Sequence, residues 1–188
     1  PVEVRYVKLV IKRGIRPDGN ADNATRIYGV DIYGDFSRPA ERGDVVSIGK
    51  TILKSYDSTN EREQAINLLA GNYTDKSRKW CFYKADIHND PFKFAVIDLE
   101  DEYEISGFRM YDCKNLEPDD NVTHYQIAVS TELPDLDKIT PQGDENTCWN
   151  TVVDKADGAS RNTKEDVLDI PVRARYVKLT VPRTSEEM

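Results

Sequence analysis

The sequence predicts an all-β sandwich with one short helix, and three observations support this fold class. Residues 94–97 are apolar on both faces, as in a strand at the centre of a sandwich. Phe108 and Met110 then alternate with Arg109 and Tyr111, which is the pattern of a half-buried strand. The other strand candidates are short, are separated by loops rich in Pro, Gly, Asn and Asp, and do not alternate with long helices.

The one helix is predicted to begin at Ser58, because this serine and the glutamate three residues later have the spacing of a capping box. Ala65, Leu68 and Leu69 form its apolar stripe. Gly71 is the expected end of the helix, since glycine readily adopts the left-handed backbone found there.

The charge of the chain restricts its partners. The 188 residues carry a formal net charge of −8, which disfavours nucleic acid and anionic membrane surfaces because their phosphates repel it. No apolar run approaches the ~20 residues that span a bilayer, and no signal peptide is recognisable. Since the sequence opens with Pro-Val-Glu rather than Met, we expect a piece of a longer protein whose targeting signal lies elsewhere.

Three cysteines leave two interpretations open. Cys81, Cys113 and Cys148 are an odd number at wide spacing, which fits neither a disulfide framework nor a zinc site. Buried thiols are one interpretation. A single bridge between Cys81 and Cys113 is the other, since both residues flank the ends of predicted strands.

An internal repeat links the two ends of the chain. Residues 1–11 read Pro-Val-Glu-Val-Arg-Tyr-Val-Lys-Leu-Val-Ile, and residues 171–181 read Pro-Val-Arg-Ala-Arg-Tyr-Val-Lys-Leu-Thr-Val. In the second copy Val177 and Leu179 share one face, and the opposite face, which carries Lys178, is expected to be exposed to water. The similarity predicts two related modules in tandem.

The repeat also predicts the domain organisation. Residues 1–36 would be the terminal strands of a preceding related module, or would complete the main sheet; 37–44 would be a linker, 45–183 the main module and 184–188 a tail. The strand predicted at 26–34 has no counterpart at the end of the sequence. We hypothesise that it pairs with the main module, within the chain or between chains, because an unfilled edge exposes unpaired backbone groups.

Four motifs stand in a fixed order along the main module. They are Ala-Ile-Asn-Leu-Leu-Ala-Gly-Asn-Tyr-Thr at 65–74 followed by Lys-Trp-Cys-Phe at 79–82, Phe-Ala-Val-Ile-Asp-Leu at 94–99 with Phe-Arg-Met-Tyr at 108–111, Tyr-Gln-Ile-Ala-Val-Ser-Thr at 125–131 before Trp149, and Ala-Arg-Tyr-Val-Lys-Leu at 174–179. In this order they resemble the coagulation factor V/VIII type C (discoidin) domains. Within that family they are most similar to the family 32 carbohydrate-binding modules appended to bacterial glycoside hydrolases of the Bacteroidetes type.

The resemblance implies a galactose-binding-like jelly roll with a ligand site on loops at one end. A sugar site needs an aromatic side chain for the apolar face of the ring and a few fixed hydrogen-bonding groups for its hydroxyls. Trp80 can serve in this way or pack in the core, and His88 either contacts the ligand or is simply solvated. The candidate ligand-binding residues are Trp80, Tyr83, His88, Asn89, Lys114, Asn115, Arg161 and Asn162.

The resemblance also implies a structural calcium ion. In the relatives it is held by an Asp-Gly-Asn or Asp-Gly-Asp turn with a following Thr, and by a Glu near the C-terminus. Here the Asp is replaced by Ala70, and the Glu position reads Gly29 in the first segment. If calcium binds, the expected ligands are backbone carbonyls near Leu69 and Asn72, assisted by Thr74, because calcium prefers oxygen.

We expect no independent catalysis. The acidic clusters at 100–102 and 119–120 lie in predicted turns, no nucleophile-elbow or His-Glu-x-x-His motif is present, and there are only two histidines. The expected function is that of a non-catalytic module, extracellular, periplasmic or on the cell surface. It would tether a multimodular glycoside hydrolase to a glycan with galactose- or N-acetylglucosamine-type sugars.

Two alternatives to carbohydrate binding remain. In the first, the module binds a protein or packs against a neighbouring domain through its loops. In the second, it attaches to a membrane through apolar loop tips, and the polar, acidic loops speak against this.

Overall fold

The computed structural model describes residues 6–12, 24–35, 44–57, 60–73, 75, 77–83, 92–112, 124–156 and 164–182. These residues form eleven strands and three short 3₁₀ helices. The strands are β1 (Tyr6–Lys12), β2 (Ala24–Asp35), β3 (Asp44–Val45), β4 (Thr51–Ser55), β5 (Trp80–Tyr83), β6 (Phe92–Asp112), β7 (His124–Ser130), β8 (Ile139–Thr140), β9 (Gly143–Asp144), β10 (Asn150–Ala156) and β11 (Lys164–Pro182); the helices are η1 (Glu61–Glu63), η2 (Ala65–Leu69) and η3 (Leu136–Lys138).

Two long antiparallel strands, β6 and β11, connect the layers of the sandwich. They pair from Met110 opposite Lys164 to Phe92 opposite Pro182. The first half of β6 also pairs with β4 and the second half with β2. Between the halves, Glu100 has a left-handed backbone with φ of 68°. The predicted turn at this point is therefore a bend within one continuous strand, and the all-β sandwich is confirmed.

The main core lies between the two halves of β6. It contains Ala95, Ile97 and Leu99 from the first half and Phe108 and Met110 from the second, all at most 3% exposed. The core is completed by buried residues from β7, β11 and η2. The inward face predicted for Phe108 and Met110 is thus confirmed, and Arg109 and Tyr111 are partly exposed on the outer face.

A second, smaller cluster explains why residues 94–97 are apolar on both faces. Phe94 and Val96 pack with Ile139 on the side away from the main core, and Leu136 and Trp149 lie against them. The residues between β7 and β10 thus bring η3 and the β8–β9 hairpin over this face. The strand is buried on both sides, as the sequence predicts.

The segment that covers this face also corrects the prediction that one face of β11 is exposed to water. Lys178 was expected to face water, yet it is fully buried. Its ammonium group forms an ion pair with Asp144 of β9 and lies 4.9 Å from the ring centroid of Trp149. A buried ammonium group needs such partners because its desolvation is otherwise costly. The error arose because a polar strand face can also be covered by a segment distant in sequence.

The strand β2 pairs antiparallel with the second half of β6, from Ile27 opposite Asp112 to Asp35 opposite Glu104. This is the pairing within the chain that our hypothesis for residues 26–34 describes. β2 also pairs with β5 and β3 on its other side.

The repeated strands β1 and β11 take the same register against β7. Tyr6 and Tyr176 both pair with Ser130, and Leu9 and Leu179 both pair with Ile127. Since β10 pairs with the opposite side of β7, both copies of the repeat are matched to the same edge of β7.

The predicted single helix is wrong in detail. Two 3₁₀ helices, η1 and η2, stand in its place, because Gln64 between them has an extended backbone. The cap is Asn60, whose side chain accepts from the Arg62 amide at 3.1 Å, while Ser58 lies outside the described residues. The apolar stripe is buried as predicted, and Gly71 follows with φ of 66°.

The cysteines are placed in part. Cys81 is fully buried on β5 and Cys148 is partly buried, whereas Cys113 lies outside the described residues. The choice between buried thiols and a Cys81–Cys113 bridge stays a prediction.

Candidate functional site

The strand registers bring together the points where the three predicted ligand loops begin or end. On β2, Ala24 pairs with Tyr83, the last residue of β5, and Ile27 pairs with Asp112, the last residue of β6. Lys164, where β11 begins, is opposite Met110, two residues from the end of β6. We call this edge of the sheet the loop end. Residues 84–91, 113–123 and 157–163 connect to strands here and lie outside the described residues.

The structure corrects one of the predicted ligand contacts. Trp80 is fully buried in the main core, and its Nε1 donates to the Tyr56 carbonyl at 2.9 Å. A ring without exposed surface cannot stack on a sugar. Trp80 therefore packs in the core, which was the other interpretation of this residue.

The remaining ligand candidates are only partly placed. Tyr83 ends β5 at the loop end. Six candidates lie outside the described residues, and their assignment stays a prediction: His88, Asn89, Lys114, Asn115, Arg161 and Asn162.

Beside the loop end, three side chains form a hydrogen-bonded group that we call the tyrosine–aspartate cluster: Asp31, Tyr73 and Tyr111. The Tyr111 hydroxyl donates to Oδ2 of Asp31 at 2.5 Å, and the Tyr73 hydroxyl donates to Oδ1. The two rings stack with centroids 3.8 Å apart and planes 9° apart. Asp31 is only 2% exposed, so the phenols replace water at both of its oxygens.

Burial, followed by the hydrogen bond to Asp31, raises the pKa of Tyr111 above its ordinary value. Next to it on β6, Arg109 binds Glu165 of β11 through Nη2 and Oε1 at 3.0 Å. The outer face of the second half of β6 is thus a polar surface, on which the stacked rings of Tyr73 and Tyr111 are partly exposed. Sequence reasoning placed Tyr111 on the outer face and missed the cluster, because Asp31 and Tyr73 are far from it in sequence.

A second polar group lies on the strands that carry the other loop connections. The Tyr125 hydroxyl donates to Asp166, and Lys155 forms an ion pair with the same carboxylate at 2.9 Å. Asp166 is 8% exposed, so both partners compensate for its burial. These contacts connect β7, β10 and β11 close to the loop end.

The predicted calcium ligands have the following environment. The Leu69 carbonyl accepts from the Gly49 amide at 2.8 Å. Asn72 is exposed, and its Oδ1 accepts from the Asp75 amide at 3.2 Å. Thr74 lies outside the described residues. Within the part of the chain that the structure describes, no group of three or more His, Cys, Asp or Glu side chains could hold a metal ion.

An open groove of about 390 Å³ lies between β4 and η2. At one end of it, Lys50 and Thr51 both contact the Glu100 carboxylate, at 3.2 and 3.1 Å. No helix among the described residues has the length and apolarity needed to cross a membrane.

The fold and the loop end define a β-sandwich that presents loops from one edge. The model of the F5/8 type C domain family matches residues 51–188, which is more than half of the sequence. The chain therefore belongs to the F5/8 type C (discoidin) domain family. Domains of this family are typically non-catalytic modules that bind carbohydrates, proteins or lipids. Comparison with curated proteins and with solved structures finds no match.

Proposed function

We propose that the chain is a non-catalytic carbohydrate-binding module that tethers a multimodular bacterial glycoside hydrolase to its glycan. The observation that carries the proposal is the meeting of three loop connections at the loop end. Asp112 and Lys164 lie at the ends of the paired strands β6 and β11, and Tyr83 ends β5, which β2 separates from β6. Residues from loops that start so close together can converge on one small ligand.

The proposed ligand is a glycan with galactose- or N-acetylglucosamine-type sugars. The proposed contacts are Tyr83, His88, Asn89, Lys114, Asn115, Arg161 and Asn162; Trp80 is excluded by its burial. A net charge of −8 supports a neutral ligand over a polyphosphate. We also propose an extracellular, periplasmic or cell-surface location, where such glycans are found.

Binding is tested with a glycan array of the chain, followed by calorimetric titration of the best ligand. We expect dissociation constants in the micromolar-to-millimolar range, as is usual for shallow, solvated sites. His88→Ala and Arg161→Ala should each weaken binding about tenfold. Lys138→Ala is the matched control, because η3 follows the opposite end of β7. Equal loss in all three variants, or an array without ligands, would overturn the proposal.

The tethering role needs a separate measurement. Fusing the chain to a glycosidase that cleaves the bound glycan should raise turnover on immobilised substrate by increasing its effective concentration. Turnover on a soluble fragment should not change. An equal gain on both substrates would contradict tethering.

Packing against a neighbouring protein domain is the second candidate function. On β11, Val167 is 75% and Ile170 57% exposed, next to the register shift between β11 and β6. Such apolar side chains suit a contact with another domain. A glycan array without ligands, together with binding to a neighbouring domain that Val167→Asp abolishes, would favour this candidate.

A further inference from the structure

The resemblance to discoidin domains implies a calcium ion between the turn at 70–74 and a Glu at the position of Gly29. The structure allows a direct test of this space. Gly29 lies on β2 opposite Tyr111, and a Cβ atom built on it would collide with the ring of Tyr73. A Glu side chain and the Tyr73 ring therefore exclude each other at this position.

The Tyr73 ring is held firmly in this space. Its hydroxyl donates to Asp31 of β2, and its face stacks on Tyr111 of β6. Since Tyr111 donates to the other oxygen of Asp31, each oxygen of this buried carboxylate already accepts a hydrogen bond from a phenol. Calcium takes six to eight oxygen ligands and usually needs carboxylates among them.

The other ligands that the resemblance implies do not make up for the missing Glu carboxylate. Ala70 has no side-chain oxygen, the Leu69 carbonyl already accepts from Gly49, and Asn72 Oδ1 accepts from the Asp75 amide. The described residues near the turn thus do not fit a calcium ion.

We propose that the tyrosine–aspartate cluster replaces the structural calcium of the family in this chain. In the arrangement that the resemblance implies, the ion would connect the turn to the strand that carries the Glu. Here Tyr73 extends from the same turn, and its hydrogen bond to Asp31 connects the turn to β2 without a metal. The domain is then stable in the absence of calcium, and its stability depends on the phenol groups.

The proposal is tested on the whole chain by thermal unfolding with EDTA and with millimolar calcium chloride. We expect the same melting temperature in both, and no binding heat when calcium is titrated into the protein. A rise of several degrees with calcium would overturn the proposal. This measurement on the unaltered chain decides the question even if a variant fails to fold.

Variants test the second half of the proposal. Tyr73→Phe keeps the ring and removes its hydrogen bond, so it should lower the melting temperature by several degrees. Asp31→Asn should do the same, whereas the matched control Asp154→Asn, an exposed acid, should not. The combined variant Gly29→Glu, Ala70→Asp, Tyr73→Ser should become more stable when calcium is added. Calcium-independent stability with no effect of Tyr73→Phe would show that the cluster does not replace the ion.

Discussion

Arg175 on β11 binds Asp98 on β6 through two parallel hydrogen bonds, Nε to Oδ1 at 2.8 Å and Nη2 to Oδ2 at 3.1 Å. Oδ1 of Asp98 also accepts from the amide of Glu100 at 2.7 Å. Asp98 therefore fixes the bend of β6 and joins it to β11 at the same point. The two long strands change layers around this contact.

Arg175→Lys should lower the free energy of unfolding by about 1–2 kcal/mol, because lysine cannot form the two-pronged contact with a carboxylate. Urea denaturation measures the change. Arg78→Lys is the matched control, since Arg78 is largely exposed and should contribute little. If both variants lose the same amount, the contact with Asp98 has no special role.

Trp80→Phe should destabilise the protein by about 2 kcal/mol, through the volume lost from the core and the unpaired Tyr56 carbonyl. At a temperature where the variant is folded, its affinity for the best glycan should equal that of the unaltered chain. Calorimetric titration checks this. Weaker binding by a folded Trp80→Phe protein would mean that the ring reaches the ligand.

The raised pKa of Tyr111 predicts a pH effect on stability. A tyrosine whose folded-state pKa lies above its unfolded value favours the folded state below the unfolded pKa, near 10. That contribution is lost as the pH rises through the folded-state value. Unfolding between pH 9 and about 11 should show a smaller loss for Tyr111→Phe than for the unaltered chain. An identical pH dependence in both proteins would be evidence against the effect.

Cys148 should react slowly with thiol reagents at neutral pH. Burial raises its pKa, and the hydrogen bond from Ser130 only partly offsets this, so little thiolate is present. The labelling rate should therefore keep rising beyond the pH at which a free thiol such as glutathione reaches its plateau. Cys148→Ser identifies the signal from this residue. A plateau at the same pH as the free thiol would contradict the predicted shift.

The alternation of apolar residues predicted much of the sandwich. It identified the inward face of Phe108 and Met110 and the doubly buried residues 94–97, since local periodicity reports directly on burial. It failed for Lys178, whose cover comes from Asp144 and Trp149. Periodicity cannot show which distant segment folds over a polar face.

The candidate site was less predictable, for the same physical reason. Trp80 and a sugar-binding tryptophan look alike in sequence, and only burial distinguishes them. Ala70 and Gly29 already showed in the sequence that the chain departs from the calcium-binding pattern. The sequence could not show that the ring of Tyr73 fills this space, because Tyr73, Asp31 and Tyr111 meet only in three dimensions.

The shared register of β1 and β11 has a consequence for folding. Residues 126–130 of β7 recognise Tyr-Val-Lys-Leu, and that sequence is present twice in the chain. Discrimination between the two copies depends on the few positions where they differ, such as Val10 and Thr180, which both pair with Gln126. Where nearly identical modules follow one another, a strand can enter the wrong neighbour before its own module closes, and intermolecular exchange then yields entangled dimers. Divergence between the copies thus protects productive folding.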